Sequence, residues 1–453
     1  MLYRKISSKI EQYLINSSNK MLIIDGARQV GKSYIIRHIG KELFPNYIEI
    51  NMEEDRQKAR LFMNARTVDD FMIALSTVAG SKMKQKENTL VFIDEIQAYD
   101  HLLTMVKFLM DDGRFTYIAS GSQLGIALKS TQSLPLGSIQ VEHMFPLDFE
   151  EFLIANGVGE LAIEGMRDNF VHQLSLEDSL HRKMMDLYHK YLLIGGMPDA
   201  VNAYINEHNL VTVRKIQRDI MKLYRQDAAK YEQDSKKRLL VQRIYDMIPS
   251  NMENRKKRVV AQSIEEKKGR RMTDYSDEFE YLVSAGIALD VLAVSNPIYP
   301  LSASSSKNLL KLYMNDVGLL TALLYRNNIK PIMDDECSVN LGSVYETVVA
   351  QELRAHDFPL HYYDNKKRGE VDFLVDDADH TAILPIEVKS GKDYHVHSAL
   401  DTFLSVDEYH VHHAIVLSNG RDVQEKSGIL YLPVYYVMFL LPSESDRAER
   451  IEI

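Results

Sequence analysis

The sequence predicts an α/β fold, because short apolar runs of strand character alternate with helical patterns along most of the chain. Between residue 20 and about residue 153, five such runs are separated by helical patterns. Near-continuous apolar strands of this kind are typical of a parallel sheet that helices cover on both faces. The candidate strands are Met21–Asp25, Tyr47–Asn51, Leu90–Asp94, Phe115–Ser120 and Ser138–His143.

The middle of the chain is mainly helical. Residues 161–233 predict a helical lid or linker bundle, which the turn Gly195-Gly196-Met197-Pro198 interrupts. Three short helical patterns and two apolar strands follow, and three helices with a hairpin are the outline of a winged helix. The helical patterns start near Arg238, Arg258 and Asp274, and the strands are Ala288–Val294 and Leu309–Asn315.

The last region predicts a second α/β domain. It begins near Val339, and a helix over Val344–His356 precedes its strands. The expected strands are Leu360–Tyr363, Gly369–Val375, Ile383–Lys389, His410–Leu417 and Ile429–Leu432. These patterns divide the chain into four expected domains, which are residues 1–158, 159–233, 234–335 and 336–453.

The composition is that of a globular protein. Of the 453 residues, 45% are apolar and 26% are charged, and the formal net charge of -10 creates no overall field that would attract nucleic acid. The single cysteine, Cys337, excludes an internal disulfide framework and predicts a cytoplasmic protein. We expect no membrane segment, because the longest apolar run, Ile429–Leu441, is shorter than the roughly 20 residues that a bilayer needs.

A complete phosphate-loop motif follows the first predicted strand. Its pattern is G-x-x-x-x-G-K-[ST], and a helical pattern begins at Lys32. The glycines let backbone N–H groups and the helix N-terminus face a phosphate. We expect Lys32 to reach the β and γ phosphates of ATP and the Ser33 hydroxyl to bind Mg²⁺. The motif consists of Gly26, Ala27, Arg28, Gln29, Val30, Gly31, Lys32 and Ser33.

Two other predicted strands end in polar residues that suit the same chemistry. Asp94 and Glu95 follow the apolar run that begins at Leu90, at the carboxyl edge of the predicted sheet. We expect Asp94 to hold the Mg²⁺ shell and Glu95 to orient or deprotonate the attacking water. The fourth strand ends at Ser122 and Gln123, a hydroxyl and an amide that could sense the γ-phosphate or the water.

These residues resemble the AAA+ ATPases, and further segments make the resemblance more specific. In their order, they resemble a prokaryotic AAA+ family with a C-terminal domain of unknown function that is related to restriction endonucleases. The resemblance implies an ATP-binding P-loop core, a helical lid, a winged helix and a nuclease-like α/β domain, and it gives Ser122 the sensor role. The segments are GARQVGKS, FIDEIQ, ASGSQ, FPLDFEEFL, YLLIGGMPDAV and KLYMNDVGLL.

One departure from the family pattern concerns transition-state charge. The family often has Ala-Gly-Arg before the fifth strand, whereas this chain has Leu136-Gly137-Ser138. An arginine at that position would stabilise the charge that develops in phosphoryl transfer. Fast hydrolysis therefore requires an arginine from another subunit or from the lid, where Arg214 and Arg218 are candidates.

A second candidate site lies in the last region. Glu387 and Lys389 project from one face of a predicted strand, and a hairpin would bring Asp372 close to them. Two or three carboxylates can hold a divalent ion while a lysine steadies the attacking water. The constellation is similar to the PD-(D/E)xK nuclease core, with Glu346 as its helix acid. Because such folds are often retained for binding alone, an inactive nuclease-like fold is the alternative.

A basic strip is the candidate contact for DNA. Residues 251–271 contain eight Lys or Arg and three Glu, a local net charge of +5, and the charge is concentrated over Arg255–Arg271. The predicted third helix carries four acids within residues 274–280, which would repel DNA from a groove. The sequence leaves open whether this region binds the DNA backbone or a protein partner.

Together, these observations predict a Mg²⁺-dependent ATPase whose nucleotide state controls a winged helix and a nuclease-like domain. One alternative is an ATP-gated nuclease that acts on DNA. The other is a non-enzymatic switch in which bound nucleotide sets the affinity for a protein partner. The oligomeric state stays open.

Overall fold

A computed structural model describes most of the chain, which forms two compact units. The first unit contains residues 1–145 and 284–286, and the second contains residues 146–283 and 287–453. The described residues are 1–16, 18–84, 88–122, 124–125, 136–227, 234–254, 256–326, 328–333, 341–391, 394–411 and 413–442.

The first unit contains a five-stranded sheet in the order β2-β3-β4-β1-β5, and all its pairings are parallel. The α/β class is therefore confirmed, and each predicted strand of this region is present with ends that differ by at most one residue. The strands are β1 (Met21–Asp25), β2 (Asn46–Asn51), β3 (Thr89–Asp94), β4 (Thr116–Gly121) and β5 (Ile139–His143). The helices are α1 (Ile6–Ile15), α2 (Lys32–Leu43), α3 (Met52–Gln57), α4 (Val68–Ala79) and α5 (Asp100–Asp112).

The sheet is buried along its strands, and its polar residues lie at the ends of those strands. Every residue of β1 and β3 is buried, and α4 and α5 contribute apolar side chains such as Phe71 and Leu103 to the core. Because the strands are parallel, the carboxyl ends of β1, β3 and β4 meet at one edge. That edge carries Asp25, Asp94 and Ser122.

The second unit is built on an eight-stranded sheet in the order β12-β13-β11-β10-β9-β8-β6-β7. The strands are β6 (Ala288–Val294), β7 (Ser305–Met314), β8 (His361–Asn365), β9 (Gly369–Asp377), β10 (Ala382–Lys389), β11 (Ala414–Ser418), β12 (Gln424–Lys426) and β13 (Ile429–Pro433). The sequence did not predict β12, since its three residues are polar and exposed. The strand predicted from His410 begins only at Ala414, because His410 adopts a left-handed conformation with φ 52°.

Helices precede and flank this sheet, and residues 161–233 are mainly helical, as predicted, where the structure describes them. They are α6 (Phe149–Ala155), α7 (Glu160–Val171), α8 (Asp178–Ile194), α9 (Pro198–Glu207), α10 (Leu210–Asp227), α11 (Ser235–Glu253), α12 (Ala261–Glu265), α13 (Ser276–Ser284), α14 (Val317–Leu324), α15 (Lys330–Met333), α16 (Gly342–Ala355) and α17 (Ser398–Leu404). Within the part of the chain that the structure describes, no helix is long and apolar enough to cross a membrane.

The hairpin expected of a winged helix is present, but it belongs to the larger sheet. β6 pairs with β7 in antiparallel fashion and also pairs in parallel with β8, where Leu292 lies opposite His361. An unpaired edge of β6 would leave backbone N–H and C=O groups without partners, and β8 supplies those partners. The expected boundary at residues 335 and 336 therefore does not separate two sheets.

Candidate functional site

The phosphate loop joins β1 to α2, and glycine is required at both of its ends. Gly26 and Gly31 have φ values of 142° and 100°, which L side chains rarely adopt. A Cβ atom on Gly26 would also lie 2.2 Å from the Met144 carbonyl oxygen. The loop between them consists of Ala27, Arg28, Gln29 and Val30.

The Lys32 side chain turns back over this loop. Its Nζ donates hydrogen bonds to the Gly26 and Ala27 carbonyl oxygens, each at 2.8 Å. Burial lowers the pKa of Lys32, although the carboxylates of Glu95, Asp25 and Asp94 oppose the shift. Since hydrogen bonds between charged groups are stronger than those to neutral carbonyls, phosphate oxygens would compete well for this ammonium group.

Asp94 gathers three neutral donors at the end of β3. It accepts hydrogen bonds from Ser33 Oγ at 2.8 Å, from Asn51 Nδ2 at 2.9 Å and from Ser120 Oγ. Hydroxyl and carboxylate oxygens are ligands that Mg²⁺ prefers, so the Ser33 and Asp94 pair fits that ion. The sequence expectation that these two residues lie together agrees with this geometry.

Glu95 directly follows β3 and adopts a left-handed backbone conformation with φ 54°. This conformation is uncommon for a residue with a side chain and occurs often at functional sites. Its carboxylate accepts hydrogen bonds from Ser122 Oγ at 2.6 Å and from the Gln97 amide. The expected residue Gln123 lies outside the described residues.

Sequence reasoning missed three residues that shape this site. Asn51 and Gln97 bind the two carboxylates, and polar residues just after buried strands are the signal that could have found them. Arg4 donates to the Val30 carbonyl at 2.9 Å and to the Phe145 carbonyl at 2.6 Å. No local sequence pattern predicts the role of Arg4, because it precedes α1 and is far from the loop in sequence.

The candidate lid arginine Arg214 is engaged inside the second unit. Its Nη1 donates to the Leu193 carbonyl at 3.1 Å and to Gln217 Oε1 at 2.9 Å, and only 2% of the residue is exposed. Burial, reinforced by Arg218, lowers the pKa of Arg214 to about 10. Its contacts are therefore those of a residue that stabilises the packing of α10 against α8.

Three segments that carried the family resemblance meet at a buried junction around Asp316. This residue precedes α14, and its carboxylate accepts from Leu319 N at 3.0 Å and from Gly196 N at 2.6 Å. Leu147 N donates to the Gly196 carbonyl at 2.7 Å. Gly196 is required there, because a Cβ atom would lie 2.0 Å from the Leu147 oxygen.

Helix α16 joins the same junction. Gln351 donates to the Tyr191 hydroxyl at 2.7 Å, and Glu352 accepts from Phe149 N at 2.7 Å. Helices α6 and α8, the end of the β6–β7 hairpin and the helix that carries Glu346 are thus connected through buried hydrogen bonds, which are costly to break.

The structure brings the four predicted residues of the second site together. Asp372 on β9 accepts from Val388 N at 2.9 Å, and Lys389 Nζ lies 2.8 Å from Glu387 Oε1 on the same strand. Glu346 lies on α16, and its charge acts on both Asp372 and Glu387. Glu387 Oε2 is buried and has no hydrogen-bond partner. We name this group of residues the acidic centre.

Two further lysines, which the sequence did not predict, belong to the acidic centre. Lys257 Nζ donates to Glu346 Oε1, and Lys311 Nζ lies 2.6 Å from Glu370 Oε1 on β9. Lys311 is fully buried and also lies 4.6 Å from the centre of the Tyr362 ring. Tyr313 donates to the other oxygen of Glu346 at 3.0 Å.

These contacts set the protonation of the acidic centre. Burial and the carboxylates of Glu346 and Glu387 raise the pKa of Asp372 well above its ordinary value. Burial also raises the pKa of Glu387, although Lys389 opposes the shift. Burial would raise the pKa of Glu346 too, but Lys257 and Lys311 hold it below its ordinary value.

With its lysines seated, the acidic centre does not present the cage that the expected divalent ion needs. Among the described residues, no group of three or more His, Cys, Asp or Glu side chains is arranged to hold a metal. The carboxylates of Glu346, Glu370 and Glu387 each bind an ammonium group instead. The proposed metal ligands Asp372 and Glu387 are therefore adjacent but do not form a metal cage.

The basic strip is largely paired with acids of this chain. Lys257 binds Glu346, and Arg258 Nη1 lies 3.0 Å from Asp364 Oδ2. Glu265 pairs with two other members of the strip, Lys267 at 3.1 Å and Arg270 at 3.0 Å. Arg255 lies outside the described residues. The sequence overestimated the free positive charge here because Glu346 and Asp364, which pair with the strip, lie elsewhere in the chain.

Comparison with known families finds three matches along the chain. Residues 18–153 match the family model described as an AAA domain, so this part of the chain is similar to that family. Residues 185–330 and 341–437 match two domains of unknown function, DUF8612 and DUF4143. These two matches assign neither a winged helix nor a nuclease.

The chain is also similar to individual proteins. It is 24% identical over 459 residues to the uncharacterized protein MJ1637 of Methanocaldococcus jannaschii, which covers 95% of this chain and 87% of that protein. The Hsp104–ADP complex of S. cerevisiae is 13% identical with a TM-score of 0.28, and the match covers 78% of this chain and 42% of that chain. A RuvB variant of Thermotoga maritima is 16% identical with a TM-score of 0.28, and the match covers 63% of this chain and 87% of that chain.

Proposed function

We propose that this protein is a Mg²⁺-dependent ATPase in which the phosphate loop binds ATP and Glu95 activates water. The observation that carries the proposal is that the phosphate loop lies beside two carboxylates at the end of β3, those of Asp94 and Glu95. Lys32 covers the loop, Ser33 and Asp94 are hydrogen-bonded to each other, and Glu95 follows directly. Phosphoryl transfer needs these parts, which are a lysine for phosphate charge, a metal-binding pair and a group that orients water.

The roles follow from the chemistry of each side chain. Backbone N–H groups of the loop and Lys32 would bind the β and γ phosphates, and Ser33 with Asp94 would hold Mg²⁺, which neutralises phosphate charge when bound. Glu95 would accept a proton from water, and Ser122 would hold the Glu95 carboxylate in position. A transition-state arginine would come from another subunit or from Arg218, since Arg214 is engaged by buried partners.

Two variants test this site separately. We expect Lys32→Ala to lose ATP binding or turnover, because the phosphate charge loses its ammonium partner. Glu95→Gln should still bind ATP but turn it over about 100-fold or more slowly, since the amide cannot accept the proton. Nucleotide affinity and phosphate release would be measured on both, and turnover like that of the wild type in both variants would refute the proposal.

We also propose that nucleotide state controls the hairpin region and the C-terminal domain through the lid. The hydrogen bonds of Asp316 and Gln351 support this, because they connect the lid to the hairpin end and to α16 within one unit. A shift of the lid would break these buried bonds unless the connected elements moved with it. Turnover without DNA, and its change when DNA is added, separate this proposal from an ATP-gated nuclease and from a protein-binding switch.

Metal-dependent DNA cleavage at the acidic centre is the second candidate function. One observation favours it, which is that the buried oxygen Glu387 Oε2 lacks a hydrogen-bond partner beside Asp372 and Lys389. If this function is present, Asp372→Ala and Lys389→Ala should abolish cleavage that depends on Mg²⁺ or Mn²⁺. Cleavage that persists in both variants would remove the assignment.

The proposed partners follow from the same residues. ATP is the ligand of the first unit, and DNA is the candidate ligand of the strip Arg255–Arg271, with a protein partner as the alternative. We place the activity in the cytoplasm, which the single cysteine of the sequence favours.

A further inference from the structure

The acidic centre contains an almost balanced set of charges. The four carboxylates of Glu346, Glu370, Asp372 and Glu387 face three ammonium groups, those of Lys257, Lys311 and Lys389. A divalent cation would add two positive charges to this nearly neutral set, and it would have to displace an ammonium group to reach Glu346. Buried charges are stable only when they are paired, so such a displacement is costly.

Lys257 differs from the other two lysines in its origin. Lys311 and Lys389 lie on strands of the sheet, whereas Lys257 comes from the segment between α11 and α12, and 17% of its side chain is exposed. Its donation to Glu346 spans 89 residues of sequence. It is therefore the one of these three lysines whose backbone lies outside the strands of the sheet.

Neighbouring contacts hold Lys257 in its position. Its backbone adopts a left-handed conformation with φ 47°, which is uncommon for a residue with a side chain. On its C-terminal side, Arg258 pairs with Asp364 at 3.0 Å, and Val259 N donates to the Leu310 carbonyl at 2.9 Å. These two contacts tether the segment to β8 and β7, and they would have to break for Lys257 to leave.

We propose that the Lys257 ammonium group takes the place of a divalent cation in the acidic centre, so that the centre binds no metal while Lys257 is seated. The C-terminal domain would then be switched by movement of the segment that carries Lys257. This inference concerns the same centre as the second candidate function. Its readout is metal binding and not cleavage, so either can fail without the other.

The test measures Mn²⁺ binding to the full-length, nucleotide-free protein by electron paramagnetic resonance. All samples carry Asp94→Asn, which removes the metal ligand of the phosphate site. We expect Lys257→Met to gain one Mn²⁺ site with an affinity about tenfold or more above that of the parent protein. Adding Asp372→Asn should abolish the gain, and Lys268→Met, which removes an exposed lysine of the same strip, should not produce it.

Two results would overturn the proposal. The first is a parent protein that already binds Mn²⁺ in a manner that Asp372→Asn abolishes. The second is a folded Lys257→Met protein that gains no site. If that variant does not fold, Lys257→Gln serves instead, because its amide can still donate to Glu346 while lacking the charge, and the same two results apply to it.

Discussion

The phosphate site and the acidic centre both combine lysines with carboxylates, but they pair them differently. At the phosphate site, Lys32 donates to backbone carbonyls, and Asp94 and Glu95 accept from hydroxyl and amide groups. Among the described side chains, no carboxylate lies within ion-pair distance of Lys32. In the acidic centre, Glu346, Glu370 and Glu387 each bind a lysine directly.

This difference shows which site is prepared for a charged ligand. Neutral hydrogen-bond partners satisfy a buried charge without cancelling it, so the phosphate site keeps positive charge for phosphate and negative charge for Mg²⁺. Direct ion pairs cancel both charges, and each bond must break before a ligand binds. A lysine should therefore serve turnover at the first site and stability at the second.

The largest expected effect tests that contrast on stability. Lys311→Met removes a fully buried ammonium group that pairs with Glu370 and also stabilises the charge of the buried Glu346, so it should lower the free energy of unfolding of the second unit by about 3 kcal/mol. Urea unfolding followed by circular dichroism would measure it. Lys32→Met should leave the stability unchanged or raise it, because burial disfavours the charged form of Lys32.

A double variant controls for simple loss of packing. Replacing both Lys311 and Glu370 by Met removes the pair and keeps apolar volume, so part of the lost stability should return, while the part that Lys311 contributes through Glu346 stays lost. If the double variant is as unstable as Lys311→Met, the ion pair is not the cause and the contrast between the two sites fails.

The sequence predicted the two regions unequally, and the reason is physical. The phosphate site depends on residues that follow buried strands within one contiguous pattern, so strand ends alone place Lys32, Asp94 and Glu95 at one edge. The acidic centre depends on Lys257 and Lys311, which reach Glu346 and Glu370 from distant segments. Only tertiary packing brings such charges together. In the sequence, Lys257 is simply one member of the basic strip.

The sheet of the second unit illustrates the same limit. The alternation of apolar residues predicted the β6–β7 hairpin, but it does not encode which strand pairs with the free edge of β6. Backbone hydrogen bonds form the pairing with β8, and the pattern of side chains along β6 does not specify which strand supplies them. Gln97 and Asn51 were missed for a related reason, because their importance comes from the carboxylates they contact.

A smaller effect tests how neutral donors support Glu95. Ser122→Ala removes the 2.6 Å hydrogen bond to the Glu95 carboxylate and should reduce kcat about tenfold, since one such bond contributes about 1.4 kcal/mol. ATP affinity should not change, because Ser122 contacts Glu95 and not the loop. Steady-state turnover with a separate binding measurement would show the split.

The double-mutant cycle decides whether Ser122 acts through Glu95. In a Glu95→Gln background the carboxylate is already absent, so Ser122→Ala should add little to the defect. Equal and additive losses in both backgrounds would mean that Ser122 acts independently, for example on the nucleotide.

The smallest expected effect tests whether ion pairing also limits ligand binding in the basic strip. If internal pairing limits ligand binding there as well, Glu265→Gln should release Lys267 and Arg270 while its amide still accepts from the Tyr275 hydroxyl. DNA affinity should rise a few-fold, and the plot of log affinity against log salt should steepen by about one unit. Glu266→Gln is the matched control, since it removes the same charge from an exposed neighbour. Equal responses of the two variants would mean that net charge alone acts, and an absence of DNA binding in both would remove DNA as the partner of this strip.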